Sequence, residues 1–145
     1  MENSVYINIG TPSHGWLPID FYYDGLRLEI HASDVLNDPI EEIYKTITGL
    51  REGKTGQIMC WLEPAAYYFY FEKKSNEYFL TISETDDIND TEDKRKVIKV
   101  ISGSYKEIVA PFEKPLIDFC SKTYENEHWP YKLDKQLVSK LLADT

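Results

Sequence analysis

Residues 17–31, LPIDFYYDGLRLEIH, carry the clearest secondary-structure pattern of the chain. Apolar and polar side chains alternate on both sides of the centre of this stretch, which is the pattern of strands with one buried face. Asp24 and Gly25 stand between the two halves, and this pair favours the left-handed backbone of a two-residue turn. The stretch therefore predicts a β-hairpin, with strands at 17–23 and 26–31 and one face turned toward a core.

The segments on either side of the hairpin extend the prediction. Residues 5–9 are typical of a short strand that ends at Gly10. Asp38 and Pro39 predict a helix start, because Asp is a good N-cap and Pro is tolerated at the first helical position. Gly53 is a suitable residue to end that helix. The helix has an apolar stripe at helical spacing, formed by Ile40, Ile43, Tyr44, Ile47 and Leu50.

The second half of the chain predicts more strands and two helical segments. A polar loop at 83–94 precedes the last strand. An apolar helical stripe covers 105–120, but Pro111 and Pro115 interrupt it, so that helix either starts near Pro111 or is kinked there. A final short helix follows residues 128–130. The predicted strands are 57–62, 66–73, 77–83 and 96–101.

These elements predict an α+β fold. We expect an antiparallel β-sheet of about six strands, with two to three helices packed mainly on one face. The length suits one domain, so residues 1–145 are expected to form a single domain.

Composition limits the classes of partner and the cellular compartment. The formal net charge is −9, which disfavours nucleic acid and anionic membranes, because both are bound through Lys and Arg. A basic protein partner is compatible with this charge. The N-terminal segment has no signal-peptide pattern and no apolar run approaches about 20 residues, so we expect a cytoplasmic protein. Cys60 and Cys120 lie in apolar runs, which predicts buried free thiols.

No motif predicts a cofactor, a metal site or a catalytic residue. The stretch 49–55 has three residues between its glycines where a phosphate-binding loop has four, and it follows a helix instead of preceding one. The acidic residues from Asp87 onward lack the glycine and the final glutamate of a calcium loop. His14, His31 and His128 are far apart and show no zinc spacing. An active site that the fold assembles from histidines and cysteines stays open as an alternative.

The first candidate interaction surface is an acidic loop at residues 83–93, which holds six carboxylates. It is either a solvated connection between strands or a docking site for a cationic cleft. Lys94, Arg95 and Lys96 follow directly and would neutralise part of its charge. The partner-contacting residues predicted here are Asp86, Asp87, Asp90, Glu92 and Asp93.

The second candidate surface is aromatic and lies in the strand at 66–73. If Phe69 and Phe71 face the core, then Tyr68 and Tyr70 lie on the open side of the sheet. Tyr and Trp provide large contact areas with little loss of rotamer entropy. Ordinary cross-strand packing would account for the same residues. The predicted partner contacts are Tyr68 and Tyr70, joined by Tyr22 and, if its strand is in register, by Trp61.

Several segments resemble small acidic bacterial proteins, in particular the immunity proteins of toxin–immunity systems. They are 15–18 (GWLP), 33–39 (SDVLNDP), 61–64 (WLEP) and 128–130 (HWP) with the Leu-rich helix that follows. The resemblance implies a cytosolic protein that binds a toxin. It implies no catalytic residues.

The leading hypothesis is a non-catalytic protein-binding module, in the form of an immunity protein that neutralises a basic toxin domain. One alternative is a small-molecule-binding protein or enzyme with a pocket between sheet and helices. Another is a structural or regulatory subunit that dimerises through its aromatic sheet face. The first hypothesis is compatible with a monomer or a homodimer.

Overall fold

The hairpin at residues 17–31 is part of a three-stranded antiparallel sheet. The structure, a computed structural model, describes residues 4–143. Asp24 and Gly25 have φ angles of +44° and +86°, the left-handed backbone that the turn requires. The strand order is β1-β2-β3, with bounds β1 (Tyr6–Ile9), β2 (Trp16–Tyr23) and β3 (Leu26–Ser33).

A second antiparallel sheet contains the other four strands. Their order in the sheet is the order in the chain, so each pair is a hairpin. Ser75 has a φ of +57° in the turn predicted between the middle two strands. The bounds are β4 (Gly56–Trp61), β5 (Ala66–Lys74), β6 (Glu77–Thr85) and β7 (Lys96–Gly103).

The long central helix has the predicted ends. The Asp38 carboxylate accepts a hydrogen bond from the Ile40 backbone N–H at 3.0 Å, and Gly53, with φ +77°, follows the last turn. Pro111 lies in a 3₁₀ turn at 110–112, which breaks the predicted second helix in two. The helices are α1 (Pro39–Arg51), α2 (Tyr105–Ile108), α3 (Glu113–Cys120) and α4 (Lys135–Ala143).

The α+β class and the antiparallel pairing are confirmed, but seven strands are divided between two sheets where about six were expected in one. The edge of β4 that faces away from β5 explains why the strands form two sheets. The Met59 backbone N–H donates to Glu42 Oε1, and the Met59 carbonyl accepts from Asn37 Nδ2, both at 2.8 Å. Because α1 and the segment before it take up these backbone groups, β3 does not continue the ladder beside β4.

One hydrophobic cluster joins both sheets and all four helices. The Phe21 and Phe69 rings, one from each sheet, have centroids 5.3 Å apart, and Phe71 meets Phe112 edge to face at 5.2 Å. The apolar stripe of α1 is buried in the same cluster. The helices therefore cover the inward faces of the sheets. Within residues 4–143 no helix has the length and apolar character that crossing a membrane requires.

Candidate interaction surface on the four-stranded sheet

The register of the four-stranded sheet sorts its side chains into two faces. The inward face carries Ile58, Phe69 and Ile82, which pair across β4, β5 and β6 and are all buried. The residues between them point the other way. We call that side the outer face, and two rows cross it: Gln57, Tyr70, Thr81 and Val100 in one, and Met59, Tyr68, Ser83 and Val97 in the other.

The outer face exposes apolar groups to solvent. Val97 is 56% exposed and Val100 is 58% exposed, both on the edge strand β7. Trp61, Tyr70 and Phe79 are half-buried on the same side. Trp61 pairs with Ala66 on β5, which places it on the same face as Tyr68 and Tyr70. The register of β4 is therefore the one that the sequence analysis required for Trp61 to join these residues. Large exposed apolar groups on one sheet face are typical of an interaction surface.

Tyr68 lies on the outer face but is not accessible, which corrects the expectation of an open aromatic ring. Its exposure is 4%, because the Arg95 guanidinium covers the ring with its central carbon 3.6 Å from the ring centroid. Arg95 Nη1 also lies 3.3 Å from Gln57 Oε1 and 3.7 Å from Glu92 Oε1. The sequence could not reveal this contact, because Arg95 is 27 positions away from Tyr68 and follows a loop.

The acidic loop stands at one end of the outer face. Its residues 83–85 lie in β6, which extends beyond the predicted strand end at 83, and residues 86–93 lead from β6 toward β7. The Ile88 N–H donates to the Pro64 carbonyl at 3.1 Å, which fixes the loop to the turn beyond Trp61. Asp87 Oδ1 accepts from the Asn89 N–H at 2.9 Å, and the Asp93 carboxylate accepts from the Thr91 hydroxyl. Of the five predicted contact residues, Asp87 is half-buried, and the exposed ones are Asp86, Asp90, Glu92 and Asp93.

Tyr22 does not join the other predicted aromatic residues. It lies in β2 of the three-stranded sheet, where its ladder partners are Tyr6 and Arg27. Tyr22 is exposed on that sheet's own outer side. The expectation of one aromatic surface that includes Tyr22 was wrong because the strands are divided between two sheets.

Comparisons with known proteins add one match. No protein-family model matches the chain, and no curated protein matches it. A chain of the solved "CdiA-CT/CdiI toxin and immunity complex from Enterobacter cloacae" is similar to this protein, with a TM-score of 0.47 and 10% identity over 79% of this chain and 98% of that chain. That complex belongs to the class that the sequence motifs resemble. A likeness of this size says nothing about function by itself, so the function must be argued from the side chains.

The cysteines are in a state that opposes nucleophilic chemistry. Burial raises the pKa of Cys60 to about 12, and the nearby Glu42 charge raises it further in the same direction. Burial also raises the pKa of Cys120 to about 11, with a smaller contribution from the Asp38 charge. Both thiols are therefore protonated at neutral pH, whereas nucleophilic cysteines have a lowered pKa.

Two of the three histidines meet, which the sequence did not indicate. The His14 and His128 rings are 4.8 Å apart and packed edge to face, and the His14 backbone N–H donates to His128 Nδ1 at 3.1 Å. His31 is exposed on the outer side of β3, where the alternation had placed it. Among residues 4–143, no group of three His, Cys, Asp or Glu side chains has an arrangement that could hold a metal ion.

A cavity of about 180 Å³ lies between the start of α1 and the segment after α3. Its apolar walls include Phe119 and Trp129, and its polar groups include Asp38 and Lys135. Pockets for small-molecule ligands usually measure about 300–1,000 Å³. This cavity is below that range, but two wider clefts lie within it, one of about 400 Å³ between β1 and α3 and one of about 530 Å³ beside the start of α1. Cavity volume therefore does not decide between the hypotheses.

Proposed function

We propose that this chain is a non-catalytic protein-binding module that docks a basic protein through the outer face and the acidic loop. In its specific form the proposal is an immunity protein that neutralises a basic toxin domain, in a cytoplasmic setting. The partner's cationic groups would meet the loop while an apolar patch covers the outer face.

The observation that carries this proposal is the position of the loop relative to the outer face. Exposed Val97 and Val100, with half-buried Trp61 and Tyr70, provide the apolar centre of this face, and the Arg95 guanidinium over Tyr68 lies among them. The carboxylates of the loop stand at the rim of that centre. An apolar centre with a charged rim is the usual organisation of a protein–protein interface.

The acidic loop and the apolar centre of the outer face are expected to act on different rate constants of binding. Exposed carboxylates attract a basic partner over several ångströms and raise the association rate, but screened rim charges contribute little to the final affinity. Apolar groups at the centre act on the lifetime of the complex, since most affinity differences between related complexes lie in the dissociation rate. The two regions therefore predict separable kinetic effects.

The test begins with capture of the partner from the native host on the immobilised chain, followed by its purification. The loop variant replaces Asp86, Asp87 and Asp90 by Asn, Glu92 by Gln and Asp93 by Asn. Because five negative charges leave the rim, we expect association at low ionic strength to slow by about tenfold or more and to lose most of its salt dependence. The matched control neutralises five exposed glutamates outside the outer face, which are Glu29, Glu41, Glu52, Glu125 and Glu127.

A second variant tests the apolar centre. Val97→Thr with Val100→Thr keeps the β-branched shape and removes apolar surface, so the complex should dissociate about tenfold faster with an unchanged association rate. Val35→Thr with Leu36→Thr is the control, because these side chains are equally exposed but lie outside the outer face. Equal rates for the loop variant and its five-glutamate control would contradict the proposal. So would sedimentation at micromolar concentration that shows a stable homodimer closed over the outer face.

A further inference from the structure

The outer face already holds one guanidinium group, that of Arg95 in the same chain. The central carbon of the Arg95 guanidinium lies over the Tyr68 ring, 3.6 Å from the ring centroid. The Gln57 amide oxygen and the Glu92 carboxylate lie at 3.3 Å and 3.7 Å from Arg95 Nη1. An aromatic plane, an amide acceptor and a carboxylate therefore surround one cation.

This set of groups is selective for arginine. A planar guanidinium stacks on an aromatic ring and donates in its own plane to acceptors at the edge, whereas an ammonium group is a compact and more strongly hydrated charge. Tyr68 supplies the ring and Gln57 supplies an acceptor at its edge. We call these two residues, with Glu92, the arginine slot.

The contacts that hold Arg95 in the slot are weak enough to exchange. The Glu92 side chain is 85% exposed, and an ion pair so open to water contributes little. The Arg95 side chain is itself 25% exposed, so an incoming group can reach it. A 3₁₀ turn at Glu92–Lys94 ends the acidic loop, and Arg95 is the residue between this turn and the start of β7. Its side chain can therefore leave without disturbing a strand ladder.

We propose that the arginine slot is the recognition site for an arginine side chain of the partner, and that Arg95 fills it until the partner arrives. This rests on the proposed function, because the slot lies on the outer face and its occupant comes from the same basic partner. The carboxylates of the loop concentrate cationic groups beside the slot. The partner's guanidinium then replaces Arg95 on the Tyr68 ring, and Arg95 turns toward the acidic loop.

The experiment measures binding of a hexa-arginine peptide to the folded full chain. Arg95→Ala empties the slot, so its affinity for the peptide should exceed that of the wild type by about tenfold, within the range of measured cation–π contributions. Lys94→Ala is the matched control, because it removes one positive charge from the same loop while Arg95 stays on Tyr68. It should raise the affinity by about twofold or less.

Two further measurements separate stacking from charge. The ring proton resonances of Tyr68 in the Arg95→Ala protein should shift when hexa-arginine is added, and hexalysine should produce a smaller shift. Arg95→Ala combined with Tyr68→Leu should lose the gain in affinity, with circular dichroism to show that the double variant is folded. Equal gains for Arg95→Ala and Lys94→Ala, or unmoved Tyr68 resonances, would overturn the arginine slot.

The outcomes distinguish this inference from the proposed function. If the slot fails, a loop variant that slows capture of the partner still supports docking through the outer face. If the loop variant and its control associate at equal rates, docking through the acidic loop is wrong. A tenfold gain for hexa-arginine would then show a slot without that docking mode.

Discussion

Replacing Asp38 by Asn should stabilise this protein at neutral pH, although Asp38 caps the central helix. Burial is the main cause that raises the pKa of Asp38 from 3.8 to about 6, and the charges of Glu41 and Glu42 act in the same direction. Hydrogen bonds from the backbone N–H groups of Glu41 and Ile40 oppose this only in part. The ionised carboxylate therefore destabilises the folded state, while Asn is an equally good N-cap without the charge.

The size of the effect follows from the pKa shift. A rise from 3.8 to about 6 corresponds to about 3 kcal/mol in the free energy of unfolding at most. Partial solvent access reduces this value, and Asn loses the favourable contact of a negative charge with the helix N-terminus, about 0.3–1 kcal/mol. We expect a net gain of about 1–2 kcal/mol for Asp38→Asn, or about 3–6 °C in melting temperature.

The pH dependence of the stability difference tests whether the Asp38 charge is its cause. The folded state binds the Asp38 proton more tightly than the unfolded chain does, so this group's contribution to stability is complete below pH 3.8 and is lost as the pH rises through about 6. Wild type and Asp38→Asn should therefore differ most at pH 7 and converge near pH 4. Glu42, whose pKa burial also raises, titrates in both proteins, so only its repulsion with the Asp38 charge enters the difference.

Urea unfolding followed by circular dichroism at pH 7, 5.5 and 4 measures this difference. Asp38→Ala is the control, because it removes the charge and the cap together and should be about 1 kcal/mol less stable than Asp38→Asn. An Asp38→Asn protein that is less stable than wild type at pH 7 would show that the ionised Asp38 carboxylate does not destabilise the folded state. A stability difference that does not change between pH 7 and pH 4 would do the same.

Two other predictions test the packing. Gly56→Ala should lower the free energy of unfolding by about 1–3 kcal/mol, as measured by thermal unfolding. A Cβ at this position would lie 2.7 Å from the Thr46 side chain and 2.8 Å from the Thr46 Cα. Unchanged stability would mean that α1 can move away from β4. Cys60 and Cys120 should resist iodoacetamide at pH 8 in the folded protein and react in denaturant. In the folded state about one Cys60 thiol in 10,000 and about one Cys120 thiol in 1,000 is ionised at this pH. Rapid labelling of either cysteine under native conditions would contradict the burial.

The elements predicted well from the sequence are those that neighbouring residues specify. Asp24 and Gly25 determine the turn of the first hairpin, and Asp38, Pro39 and Gly53 bound α1, because turn and cap preferences act over a few residues. The face of β5 that carries Tyr68 and Tyr70 also followed from simple alternation.

The parts of the candidate site that were missed depend on contacts between distant segments. Whether Tyr68 is open depends on where the Arg95 side chain lies, and alternation along β5 carries no information about it. The contact between His14 and His128 joins positions 114 residues apart. The division into two sheets depends on side chains of the α1 region that bind the edge of β4 at Met59.

Local sequence patterns specify which segments are helices and strands, which side of each strand is apolar and where the acidic loop stands along the chain. These properties follow from backbone preferences and side-chain periodicity, whose range is a few residues. Packing between distant segments sets which strand edges are closed, which sheet face stays open to solvent and which aromatic ring a cation covers. Such outcomes depend on side chains that meet after the chain has folded back on itself, where packing and hydrogen bonding compete between segments that are remote in sequence.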